Sequence, residues 1–84
     1  MSKKEKLIAR LLSKPKDFTF AELTALLNCF GYQQVVTGKT GGSRVAFANG
    51  GNDYIRLHKP HPRNILKPYQ VEDVITALKE RNLL

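Results

Sequence analysis

One cysteine, Cys29, stands in the whole sequence, so no disulfide can close within the chain and nothing in it demands an oxidising compartment. A lone thiol with no local sign of activation is expected to be a small buried or half-buried residue. No apolar run is long enough to cross a membrane. No apolar stretch of leader length follows the charged start. The expectation is a cytoplasmic protein. Repeats, low-complexity tracts and linkers are also missing, and 84 residues make one domain with a modest core. Such a domain has room for a site on a surface but not for a deep cavity between domains.

Acids are scarce as well. There are 7 Asp+Glu against 14 Lys+Arg, for a net charge of +7. That balance says nothing about fold, but it favours polyanionic partners such as nucleic acid, an acidic protein or a membrane surface. The excess is localised. Residues 1–17 carry six cations and two anions, and residues 38–67 carry six cations and one anion, while the remaining segments are slightly acidic. Both histidines, His58 and His61, fall in the basic middle third.

The hydrophobic periods give the element order. "SKKEKLIARLLSKP" predicts a helix within an N-terminal extension, residues 1–15: Ser2 and Glu5 have capping-box spacing, Leu7, Ile8, Leu11 and Leu12 form a stripe, and Pro15 ends it. "DFTFAELTALLNCFG" predicts a second helix. Thr19 and Glu22 form a capping box, Phe18 and Leu23 a staple, Leu23, Leu26, Leu27 and Phe30 the buried stripe, and Gly31 the stop. "YQQVVT", "SRVAFA" and "DYIRLH" then read as short strands, separated by glycine-rich reversals at "GKTGG" and "NGGN". "KPYQVEDVITALKERNLL" predicts a closing helix with Pro68 in its first turn, Glu72 and Asp73 near its positive end, and a stripe of Val71, Val74, Ile75 and Leu78. No connection is long enough for a parallel crossover. The expected fold is α+β: a two-layer sandwich, order α-α-β-β-β-α, with a three-stranded antiparallel sheet and helices on one face.

Strand alternation then sorts the side chains. Val45, Phe47, Ile55 and Leu57 should face the helices. Arg44, Ala46, Tyr54, Arg56 and His58 should share the open face. Lys39 lies in the first reversal, and Lys59, His61, Arg63 and Lys67 follow the last strand. Pro60 and Pro62 stiffen that loop. Guanidinium groups bind phosphate through paired donors, and imidazole can give or take a proton near neutral pH. Together they meet the needs of metal-free RNA cleavage: a base for the 2′-hydroxyl, an acid for the leaving oxygen, and fixed positive charge for the crowded phosphate. The candidate catalytic residues are His58 and His61. The candidate phosphate-binding residues are Arg44, Arg56, Lys39, Lys59, Arg63 and Lys67. His58 and His61 have tolerable metal spacing, but no second ligand pair accompanies them, so neither metal nor cofactor is expected. "GKT" at Gly38–Thr40 lacks the first glycine and the following helix of a phosphate-binding loop, and reads as a hairpin turn. Ser43 reads as a turn residue.

Three stretches also resemble the HicA toxin family of bacterial and archaeal toxin–antitoxin modules, over about Phe18 to Leu84. "NCFGYQQV" resembles that family's helix, glycine and strand. "GGSRVAF" resembles its Gly-Ser-His strand. "HPRNILKPYQVEDVI" resembles its His-Pro, Glu-Leu-Lys-Pro-Gly and closing helix. The resemblance implies a double-stranded-RNA-binding-domain-like fold, metal-independent cleavage of mRNA, and a HicB-like antitoxin as partner. It matches the histidine before proline to His61. Arg44 stands where the family's catalytic histidine follows Gly-Ser, and Tyr69 where it usually has glycine. Arginine is a poor general base. Three outcomes stay open: proton transfer by His58, proton transfer by His61 with Arg44 on the phosphate, or an RNA-binding domain that does not cut. A basic face used mainly to dock an acidic antitoxin is compatible with the first two.

Overall fold

Ser2 starts the first helix by accepting the Glu5 backbone N–H on its hydroxyl oxygen at 3.2 Å. A computed structural model describes residues 2–35, 44–51, 53–60 and 64–84, with only the backbone of Arg44. In it, helix α1 spans Lys3–Leu12. Leu7 and Leu11 are buried and Ile8 is half-buried, but Leu12 is 45% exposed. The stripe is narrower than its leucines suggest, because Leu12 lies about 100° round the helix from Leu11. Helix α2, Phe20–Cys29, has the complete box: Thr19 accepts from the Glu22 N–H, and the Glu22 carboxylate accepts from the Thr19 N–H. Gly31 ends it at φ +88°, a conformation other residues adopt at a cost. Cys29 is exposed, which corrects the expectation of a buried thiol. It sits about 200° round from Leu27, off the apolar stripe.

Arg10 joins the two helices. Its guanidinium meets Asp17 at 3.0 Å and also pairs with Glu22, so the α2 cap is held by an α1 side chain. The α1 leucines belong to the same buried cluster as the rest of the core.

Three short strands follow: β1 at Gln33–Val35, β2 at Arg44–Ala48 and β3 at Tyr54–His58. They pair antiparallel in the order β1-β2-β3. The β2–β3 turn needs the positive φ of Gly50, +91°, and the Asn49 side chain caps it by accepting the Gly51 N–H at 3.0 Å. The reversal expected at residues 38–42 lies outside the described residues. Helix α3 spans Pro68–Glu80, with Pro68 in the first turn. Counted from Pro68, Glu72 and Asp73 fall in the second turn, so they do not sit at the positive end as the sequence suggested.

The helices and one sheet face share a single core. Val45, Phe47 and Ile55 are buried with Phe18, Leu23, Leu26, Leu27, Val71, Val74 and Leu78. The chain ahead of α3 also contributes. Thr19 and Ile65 form an isolated antiparallel bridge, with Phe20 N–H to Asn64 carbonyl at 2.7 Å and Leu66 N–H to Phe18 carbonyl at 2.8 Å. Leu66 is thereby carried into the core. The described residues thus form a small α+β fold of three helices and a three-stranded antiparallel sheet, in the expected order.

Candidate functional site

The strand period puts Tyr54, Arg56 and His58 on the sheet face turned from the core, and all three are exposed. The register adds that Arg44 lies opposite His58 and Ala46 opposite Arg56. Residues directly opposite on neighbouring strands share a face. Ala46 alternates onto this face, with Val35 and Arg56 as its register partners, yet is only 1% exposed. The Arg56 guanidinium carbon stands 5.0 Å from the centroid of the Tyr54 ring, a cation–π pair. Among the described residues no carboxylate lies within ion-pairing distance of Arg56 or His58.

The other sequence candidates fall in different places. Lys59 is exposed but is one residue out of phase with His58. Its ammonium leans toward α2, 5.8 Å from the Phe20 ring centroid. Lys67 is the exposed residue before α3. Lys39, His61 and Arg63 lie outside the described residues, as does Ser43, while Pro60 is buried at the start of the loop.

Two polar ties fix β3 against α3, and the sequence reading missed both. Gln70 is 5% exposed. Its Nε2 donates to the His58 carbonyl at 2.8 Å, and its Oε1 accepts the Lys67 N–H at 3.0 Å. One side chain therefore holds the backbone of His58 and caps α3. At the other end, Arg81 donates to both oxygens of Asp53 at 2.8 and 2.9 Å and to the Tyr54 carbonyl at 3.2 Å. The Tyr32 hydroxyl also donates to Asp53. The only sequence signal for Gln70 is a polar residue one position before the apolar stripe. Tyr32, Asp53 and Arg81 are too far apart in the chain to betray one another.

Replacing Gln70 with leucine is expected to cost about 1–3 kcal/mol, since the His58 carbonyl and the Lys67 N–H both lose a partner that leucine cannot replace. Urea denaturation measures that loss. Because the His58 backbone is then free to shift, any activity that uses His58 should fall further than stability alone explains.

The carboxylates of Asp53 and Glu22 set the acid limit of the fold. The Tyr32 hydroxyl and then the Arg81 guanidinium hold Asp53 below the ordinary carboxylate range. Burial pushes Glu22 up, but the hydrogen bonds from Arg10 and Thr19 outweigh it and the net direction is down. Burial, then the Asp53 carboxylate, raises the Tyr32 hydroxyl. A carboxyl whose folded pKa is lowered stabilises the fold above its unfolded value and loses that contribution as pH falls through the folded one. The urea midpoint is expected to be level from neutral pH to about 5 and to fall below about 4. Asp53→Asn should lower it at neutral pH and flatten the acid fall.

Among the described residues no three His, Cys, Asp or Glu side chains converge as a metal site. Among them, too, no helix is long and apolar enough to cross a membrane. Compared with known proteins, the chain matches no family model, no curated protein and no solved structure.

Proposed function

We propose that the chain is a HicA-like toxin that binds mRNA on the open sheet face and cleaves it without a metal, inhibiting translation and growth in the cytoplasm until a HicB-like antitoxin covers that face. One observation carries the reading: Tyr54, Arg56 and His58 stand exposed together on the face away from the core, with Arg44 opposite His58 in the register. The layered order of helices and meander supports a double-stranded-RNA-binding-domain-like arrangement. Arg44 and Arg56 hold the phosphate, and Lys39, Lys59, Arg63 and Lys67 add charge along the strand's path. His58 and His61 move protons. One takes the 2′-hydroxyl proton, the 2′-oxygen attacks phosphorus, and the bond to the 5′-oxygen breaks as the other protonates that oxygen. The products are a 2′,3′-cyclic phosphate and a 5′-hydroxyl.

The test is purified protein with RNA in a chelator. Cleavage to cyclic phosphate ends is expected, and a single 2′-deoxy nucleotide at the cut site should abolish it without weakening binding. A second reading, an RNA-binding domain that does not cut, is favoured by one residue: Arg44 cannot serve as a base where the resemblance expects imidazole. It predicts salt-sensitive binding and no products. Co-purification with the product of a neighbouring gene tests the antitoxin, whose acidic surface would be steered to this face.

A further inference from the structure

Helix α3 is hydrogen-bonded to β3 at its two ends, by Gln70 to the His58 carbonyl and by Arg81 to the Tyr54 carbonyl. Among the described residues no hydrogen bond joins them between. These two carbonyls mark the side of β3 that faces α3. Alternation places the N–H and C=O of Arg56 on the same side. Among the described residues strand β3 is the margin of the sheet, so those groups have no strand partner there. A groove of about 330 Å³ opens there. Its strand wall carries Tyr54, Arg56 and His58, and its helix wall carries Tyr69, Asp73 and Glu80. Tyr69 is 55% exposed at the His58 end of the groove, beside Gln70, and Tyr54 is 40% exposed at the Arg81 end.

The charges of the two walls differ in sign. Asp73 and Glu80 repel phosphate, and the one cation of the helix wall, Arg81, is paired with Asp53, so the phosphates belong on the Arg56 side. What suits the groove is a flat, neutral group with hydrogen-bond donors on its edge. The volume is near the lower limit for ligand sites, enough for one ring system and too small for an added five-residue strand with its side chains. We infer that the groove holds one unpaired nucleobase of the bound RNA. The Tyr69 ring stacks on it at the His58 end of the groove, and the carboxylate of Asp73, one turn further along α3, accepts an exocyclic amino group. The substrate is therefore single-stranded at this point, and adenine or cytosine is held in preference to uracil. This rests on the RNA-binding reading above and adds to it the form of the strand and the base it prefers.

The experiment uses the full chain and labelled 2′-O-methyl RNA oligonucleotides, which bind but cannot be cut: single strands of A, C or U, and a duplex of equal length. A and C are expected to bind tighter than U. Tyr69→Ala should weaken the A strand about 10-fold and leave duplex affinity unchanged. Asp73→Ala should erase the preference over U, so that the A, C and U strands bind alike. Equal affinity for A, C and U in the wild type, or a Tyr69→Ala protein that binds the A strand like the wild type, overturns the inference while RNA binding stands. Failure of the wild type to bind any of the RNAs overturns the RNA-binding reading and this inference with it.

Discussion

Replacing His58 and His61 together with alanine is expected to lower RNA cleavage about 100- to 10,000-fold while leaving RNA affinity within about threefold of wild type. The reasoning is a division of labour. In the proposed reading, affinity for a polyanion comes from Arg44, Arg56 and the lysines, all of which the double variant keeps. Rate, in the proposed reading, comes from the proton transfers assigned to the two imidazoles. The single variants separate the roles. If one histidine is the base and the other the acid, either substitution removes most of the rate and the second adds little, because groups that act as a unit are not additive. If only His58 moves protons, His61→Ala should cut normally. Arg44→Gln should behave differently, weakening binding and reducing the salt slope by about one. Undiminished cutting by the double variant, after removal of contaminating nuclease, would sink the site assignment.

The face that this experiment addresses was legible in the sequence because period-2 alternation runs through β3, although in β2 Ala46 is buried as well as Val45 and Phe47. Val45, Phe47, Ile55 and Leu57 read as one side, and the structure buries the first three and half-buries Leu57. The caps of α1 and α2 were legible because they are local, each made by residues three apart. What failed to show was long-range. The Arg10–Glu22 pair, the Asp53–Arg81 pair and the Thr19–Ile65 bridge join residues that no window of sequence brings together. Gln70 was unreadable for another reason: a buried amide looks like a surface residue until both partners, the His58 carbonyl and the Lys67 N–H, are in place. Lys59 was grouped with the phosphate-binding residues by closeness in sequence. Parity sends it toward Phe20 instead. Its contribution to RNA affinity should be smaller than that of Arg56.

Phe47→Ala is the substitution expected to damage the fold most. Phe47 is fully buried in the central strand, and its ring centroid lies 6.1 Å from that of Phe20, so it links the middle of the sheet to the start of α2. Removing a buried phenylalanine ring typically costs about 3–5 kcal/mol in lost transfer energy and unfilled cavity. A domain of this size holds only about 4–13 kcal/mol in total. The variant should therefore lose a large share of the total, read by circular dichroism as a much lower urea midpoint or, at the low end of that range, as the loss of a cooperative transition. Arg56, one register step from Phe47's partner Ile55 and on the opposite face, supplies the contrast. Arg56→Ala should shift stability by less than about 1 kcal/mol, because an exposed guanidinium contributes little to the fold, yet it should weaken RNA binding. If Arg56→Ala unfolded the chain and Phe47→Ala did not, the two faces would be reversed and the proposed interface would lie in the core.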